Sequence, residues 1–171
     1  GMRLFSRVDQ QQTFEKYDLS DGLEAALLMA QNEIKHYARV ERTAGAVPAI
    51  EAVGGEINQV LLNLIVNAAH AIKAKGEAGV IKLATWAEDD HVYCSIEDNG
   101  IGIARENLSS VFNPFFTTKP AGQGTGLGLS ISYDIVVNHH HGEISVDSVE
   151  GAGAKFTVRL PIRHERQGEE R

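Results

Sequence analysis

Four glycines at alternate positions, Gly122, Gly124, Gly126 and Gly128, follow the segment Asn113-Pro114-Phe115-Phe116-Thr117-Thr118-Lys119-Pro120. An amphipathic helical pattern starts directly behind them. Neither helix nor strand carries glycine at this density, so a loop must run into a helix N-terminus here. Such a loop lets backbone N–H groups approach a ligand closely, and the helix start behind it adds unpaired donors and partial positive charge. Together they suit a phosphate, with the loop as a flexible lid. A mobile surface loop without a ligand is the competing reading. The better-known phosphate loops do not fit. Leu127 and Leu129 occupy the positions where the third glycine of G-x-G-x-x-G would fall, and no Gly-Lys-Ser/Thr occurs in the chain. A nucleotide site in this chain therefore needs a different fold.

The 171 residues suffice for one domain with a proper core. A net charge of −7 argues against a nucleic-acid-binding surface. It leaves a nucleotide open, because that needs only local positive charge. The single cysteine, Cys94, excludes an intrachain disulfide and fits a reducing compartment. No apolar run has the ~18 residues of a membrane span, and no signal peptide is visible. Gly1 ahead of Met2 looks like the remnant of a tag, so the chain is expected to be a piece of a longer protein.

Residues 3–12 are polar and read as a frayed helix end. Residues 14–19 predict a short strand, and Ser20-Asp21 predicts the cap of a helix running to about Lys35. Strands are expected at 36–44 and 48–53, around a turn at Gly45–Pro48. A long helix is expected from about Gly55 to Lys75, ending before Gly76. The segments 79–88 and 91–98 read as a hairpin turning at Glu88-Asp89-Asp90. A short helix at 104–110, a helix at about 126–139 and a final hairpin of 143–149 with 154–160 complete the pattern. In that last strand Phe156, Val158 and Leu160 alternate with Lys155, Thr157 and Arg159. Residues 163–171 form a charged tail. Three long helices and several hairpins imply an α+β two-layer sandwich: a mixed, mostly antiparallel sheet covered on one face by helices.

The helix at 55–75 is apolar over most of its surface. Ile57, Leu61, Leu64, Ala68 and Ile72 form one stripe, and Leu62, Val66 and Ala69 cover a second side. Glu56, Asn63, Asn67 and His70 share the remaining stripe. Two asparagines one turn apart on such a helix cost roughly 1–3 kcal/mol each if unpaired. A hydrated Mg²⁺ beside nucleotide phosphates would satisfy them; hydrogen bonds to loops would do so equally. On the strand 91–98, Val92, Cys94 and Ile96 share a face, and Asp98 comes next on it. A carboxylate there is either a turn residue or an acceptor for the exocyclic amine of a purine. Asn99-Gly100-Ile101-Gly102 follows, so backbone can approach a flat base. An EF-hand over 95–106 fails, because position 1 is Ser95 and a strand precedes the loop. His139-His140-His141 reads as a helix end with histidines near its negative pole rather than a zinc site. No Gly-x-Ser-x-Gly or His-Glu-x-x-His is present.

In order and content these signals together resemble sensor histidine kinases. Asn-Gln-Val-Leu-Leu-Asn-Leu-Ile-Val-Asn-Ala at 58–68 resembles their N-box, and Glu-Asp-Asn-Gly-Ile-Gly-Ile at 97–103 their first glycine box. Phe112-Asn113-Pro114-Phe115-Phe116 resembles the F-box, and Gly124-Thr125-Gly126-Leu127-Gly128-Leu129 the second glycine box. The resemblance covers about residues 14–162. It implies the Bergerat-type fold shared with type II topoisomerases, heat-shock chaperones and mismatch-repair ATPases, with ATP and Mg²⁺ as ligands. By it, Asn67 would ligate Mg²⁺, Asn63 would lie near the phosphates, and His70 would approach the ribose or phosphates. Asp98 would bind the adenine amine, Gly100 and Gly102 would keep the pocket open, and Ile103 would lie against the base. Lys119 would reach the phosphates from the lid. The segment Gly124, Thr125, Gly126, Leu127 and Gly128 would present N–H groups to them.

Three departures from the family pattern stand out. Ala154 replaces a Thr in Gly-x-Gly-Thr-x-Phe, so a hydroxyl near the base would be missing. His141 replaces a Gly in a His-Gly-Gly turn, which predicts strained backbone within the histidine run. The phosphoacceptor His followed by an acid on a dimerising helical hairpin is missing, since His164-Glu165 lies in the charged tail. Leu4-Phe5-Ser6-Arg7 looks like the last turn of that hairpin. The resemblance thus implies residues 1–12 as the end of the dimerisation helix or a linker, 13–162 as the catalytic ATP-binding domain and 163–171 as a tail. It implies as partners a histidine-bearing hairpin domain and a response regulator receiver domain, within a homodimeric parent whose catalytic domain is cytoplasmic and which is open to membrane anchoring. The alternatives are a hydrolytic ATPase of the related families and an anti-sigma-factor-like serine kinase or binding module. Hydrolysis would use a Glu where Asn63 stands, and an amide cannot accept a proton at neutral pH.

Overall fold

The computed structural model describes residues 13–114 and 128–164. The elements in chain order are β1 (Glu15–Tyr17), α1 (Leu19–Met29), α2 (Gln31–Ile34), β2 (Ala38–Ala44), β3 (Ile50–Ala52), α3 (Gly54–Lys75), β4 (Gly79–Glu88), β5 (His91–Asp98), a 3₁₀ turn (Arg105–Ser110), α4 (Gly128–Tyr133), a π-helical turn (Asp134–His139), β6 (Glu143–Val149) and β7 (Gly153–Pro161). Five strands form one sheet in the order β2-β4-β5-β7-β6, and β1 pairs with β3 in a second, two-stranded sheet. Only β2–β4 is parallel in the large sheet; the other neighbours are antiparallel. The helices lie on one side of that sheet, giving the α+β two-layer sandwich expected.

The core forms where α3 crosses the sheet. Ile57, Leu61, Leu64, Ala68 and Ile72 are all buried, as are Val60, Ile65 and Ala69, while Leu62 and Val66 are half-buried. Opposite them lie Ile81, Leu83, Val92, Cys94, Ile96, Phe156 and Val158. The helix ends at Gly76, whose φ of +84 is the left-handed conformation that terminates helices at low cost. Among the described residues no helix is long and apolar enough to cross a membrane.

Four expectations about local structure are corrected. The strands expected around Gly45–Pro48 do not pair with each other: β2 joins β4 in parallel, and β3 joins β1. The turn signal is real, but the chain changes sheets there. The cap of α1 is Asp18, whose carboxylate accepts from the N–H of Asp21, and Ser20 and Asp21 lie inside the helix. The helix expected to reach Lys35 breaks at Ala30, whose ψ of 4 departs from helical values, and continues as the four residues of α2. The region expected as one helix to 139 is α4 followed by a π turn. The N–H of His140 reaches back five residues to the Ile135 carbonyl.

Candidate functional site

Three residues on one face of α3, Asn63, Asn67 and Ala71, are spaced i, i+4, i+8 and span about 12 Å of helix axis. At one end the Asn63 amide nitrogen donates to the Gly128 carbonyl and the Ser132 hydroxyl, both at 3.4 Å, at the start of α4. At the other end the Ala71 carbonyl accepts from the N–H of Ile101 at 3.2 Å. A Cβ on Gly100 would fall onto the Ala71 backbone and lie 2.7 Å from the nitrogen of Ile72. Gly100 is thus required by close approach, and the loop after β5 lies flat on α3. Asn67 lies on the ridge between these two anchor points. Its carboxamide makes no hydrogen bond to any described residue, so its amide oxygen is free for a hard cation, which takes one or two protein oxygens together with phosphate oxygens and water.

Asp98 ends β5 on its helix-facing side, between Ile81 and Ala154 in the cross-strand register. It is 6% exposed. Its Oδ1 accepts from the N–H of Gly100 at 2.8 Å. Burial pushes its carboxyl up from the usual 3.8 to about 6, against the opposing pull of the Gly100 and Ala154 N–H groups. A carboxylate held this way keeps unused lone pairs at the end of β5, beside the Gly100–Gly102 loop. Ala154 is buried next to it, so no hydroxyl stands at that position.

The loop that carries Gly102 and Ile103 is fixed from the far side by the β6–β7 turn. Gly102 has φ +71, and a side chain there would strike the Val149 carbonyl. The N–H of Gly151 donates to the Ile101 carbonyl at 2.6 Å. The Ser148 hydroxyl accepts from the N–H of Ile103 at 2.8 Å and donates to the Gly153 carbonyl at 2.7 Å. Ile103 is half-buried against the core. From α3, the Lys75 ammonium donates to the carbonyls of Asn99, 3.2 Å away, and Gly151, 3.0 Å away. Sequence reasoning missed both Lys75 and Ser148. A lysine before a helix-ending glycine reads as an ordinary partner of the helix dipole, and nothing in the spacing says that it bridges two distant turns.

The other expected site residues divide in two groups. His70 is half-exposed, with its Nε2 3.1 Å from Glu33 of α2. Lys119, Gly124, Thr125, Gly126 and Leu127 lie outside the described residues. The chain leaves the described region at Pro114 and re-enters it at Gly128. On the described sides of this segment, the Phe112 ring packs 5.6 Å from Tyr133 and edge-on to Phe156. Glu56, the one carboxylate on the polar stripe of α3, is engaged with His139 at 3.2 Å. His140 is buried, accepts from the N–H of Val53 through Nε2 and contacts the Ile135 carbonyl through Nδ1. Burial lowers its proton affinity. His141 takes φ +59, the left-handed strain expected where a glycine is replaced.

Residues 53–164 match the family described as histidine kinase-, DNA gyrase B-, and HSP90-like ATPase. The sensor histidine kinase ZraS of Salmonella typhimurium is 38% identical over 152 residues, covering 88% of this chain and 32% of that protein. The nucleotide-free catalytic domain of histidine kinase ThkA superposes with a TM-score of 0.76 at 32% identity, covering 88% of this chain and 96% of that one. The structure of ThkA in complex with the response regulator protein TrrA matches with a TM-score of 0.72 at 28% identity, over 87% of this chain and 42% of that one. The chain spans a third or less of the length of the curated relatives it matches. By the family model over residues 53–164 and the likeness of its sandwich to that of ThkA, the chain belongs to the histidine kinase-, DNA gyrase B-, and HSP90-like ATPase family, as a histidine kinase catalytic domain.

Proposed function

We propose that this domain binds Mg-ATP and presents the γ-phosphate to a histidine on a neighbouring helical-hairpin domain. The observation that carries the reading is the shared face of α3, which joins the helix behind the glycine-rich segment to the loop behind Asp98. A nucleotide laid along that face has its base at Asp98 and its phosphates toward Gly128. The Asp98 carboxylate accepts from the adenine amine, Gly100 and Gly102 leave room for the ring, and Ile103 flanks it. Asn63 orients the phosphate end. His70 reaches the ribose or phosphates by exchanging Glu33 for them. Lys119 and the N–H groups of Gly124, Thr125, Gly126, Leu127 and Gly128 close over the phosphates. The Asn67 amide oxygen would hold a Mg²⁺, which would supply charge neutralisation at the phosphates.

Phosphoryl transfer is mostly positioning and charge neutralisation, and the acceptor imidazole is itself the nucleophile, so the domain needs no strong base. This favours transfer over hydrolysis. Asn63 stands where a water-activating Glu would be needed, and Glu56 is held by His139. In this reading residues 1–12 end the dimerisation helix or linker and 163–171 form a tail. The phosphoryl group passes on to a response regulator, as the ThkA–TrrA pairing supports, and the parent protein is a homodimer whose catalytic part is cytoplasmic.

The test supplies the chain with γ-labelled ATP, Mg²⁺ and the separately expressed histidine hairpin of its parent protein. Label should move to the hairpin in an acid-labile, base-stable form and fail to do so with Asp98→Ala. Release of free phosphate at enzyme-like rates, with no labelled hairpin, would favour the hydrolytic reading instead.

A further inference from the structure

We propose that Lys75 is a positioning residue for base recognition, clamping the loop behind Asp98 against the β6–β7 turn. This rests on the reading of Asp98 as the group that meets the base. The Lys75 ammonium lies between two carbonyl oxygens from segments more than fifty residues apart, those of Asn99 and Gly151. Asn99 directly follows Asp98. Gly151 donates its N–H to Ile101, two residues further along the same loop. Gly153, in the same turn, packs so tightly that a Cβ there would collide with the Asp98 carbonyl. Asp98 is thus gripped on both sides by backbone that Lys75 ties together.

The chemistry explains why a cation is needed at this point. Lys75 is the last residue of α3, where the free carbonyls of the helix end give partial negative charge. The Asn99 and Gly151 carbonyls both meet the ammonium that extends from this helix end. Without the ammonium, the Asn99 and Gly151 carbonyls lose the one donor they share. The turn and the loop then stay joined only by the Gly151–Ile101 and Ser148–Ile103 bonds and the packing of Gly102 and Gly153, and the Asp98 carboxylate is aimed less tightly. An ammonium carries three donors on a flexible stem, which suits several carbonyls arriving from different directions.

The test separates base reading from phosphate binding. Affinities for ATP and for purine riboside 5′-triphosphate, which lacks only the 6-amine, are measured by calorimetry on the wild-type chain, Lys75→Met and Lys75→Arg, with unfolding temperatures recorded alongside. The wild type should prefer ATP by about tenfold or more, the worth of one hydrogen bond to a charged acceptor. Lys75→Met should lose at least two-thirds of that preference while its affinity for the deaminated analogue stays within twofold, and Lys75→Arg should keep most of it. Equal weakening for both nucleotides, or an unchanged preference, would overturn the role of Lys75. A wild type without any preference would instead overturn the assignment of Asp98, and the proposal with it. Should Lys75→Met fail to fold, Lys75→Gln is read by the same criterion.

Discussion

Replacing Asp98 with asparagine should stabilise the nucleotide-free chain at neutral pH, and by an amount that depends on pH in a defined way. The carboxyl is 6% exposed and is pushed from 3.8 to about 6 by burial. At about 1.4 kcal/mol per pH unit, holding it ionised in the folded chain at pH 7 costs roughly 3 kcal/mol. The sign follows from proton counting. Between pH 3.8 and about 6 the folded state keeps a proton that the unfolded state has released. Stability from this group is therefore fully present below pH 3.8 and is lost as pH rises through 6. An amide has no such titration. The bonds from the Gly100 and Ala154 N–H groups are already included in that balance. The net expectation at pH 7 is that Asp98→Asn is more stable by up to roughly 3 kcal/mol. Urea unfolding of both chains from pH 4 to pH 8 measures it. The stability of the variant minus that of the wild type should rise by roughly 3 kcal/mol from the acid end and level off above pH 7. ATP affinity should fall by about tenfold, because a charge-assisted bond becomes a neutral one. A difference that does not change with pH, or that shrinks as pH rises, would refute the argument that the fold retains a costly buried carboxylate for recognition.

Other expectations follow from individual contacts. Asn67→Ala should bind ATP equally with and without Mg²⁺ in calorimetry, because the unspent amide oxygen on the α3 ridge is removed; a retained magnesium dependence would place the metal elsewhere. Gly100→Ala should cost about 1–3 kcal/mol in chemical denaturation and weaken ATP binding more than tenfold, since the added methyl meets the backbone of Ala71 and Ile72. His141→Gly should raise stability by about 0.5–1 kcal/mol, as relief of the φ +59 strain exceeds the entropy glycine loses on folding.

The parts of this molecule that sequence made legible are those fixed by local pattern. The apolar stripe of α3 and its stop at Gly76 follow from periodicity and from the left-handed freedom of glycine. The hairpin of β4 and β5 follows from alternation around an acidic turn. Asp98 stood out because it continues the face of Val92, Cys94 and Ile96. What stayed hidden depends on long-range geometry. Nothing near Gly45–Pro48 says that β2 will pair in parallel with a strand that starts at Gly79. The cap at Asp18 differs from the expected one by two or three residues, because several oxygen-bearing side chains compete for the same N–H groups. The polar stripe of α3 is one set by sequence spacing, yet its members separate in space. Glu56 turns to His139, Asn63 to α4 and His70 to Glu33, leaving Asn67 as the member without a partner among the described residues. The family resemblance named these positions but not how their partners divide them. Lys75 and Ser148 carry no signature, because each acts on backbone that only the fold brings within reach.

The central claim is that one nucleotide bridges the two ends of the α3 ridge. It is tested most directly by titrating the ¹⁵N-labelled chain with Mg²⁺ and a non-hydrolysable ATP analogue and following backbone amide shifts. The amides of Gly100 and Ile101 and those of Gly128–Ser132 should shift together and saturate with one dissociation constant. Shifts at one end alone, or two ends titrating with different constants, would contradict it.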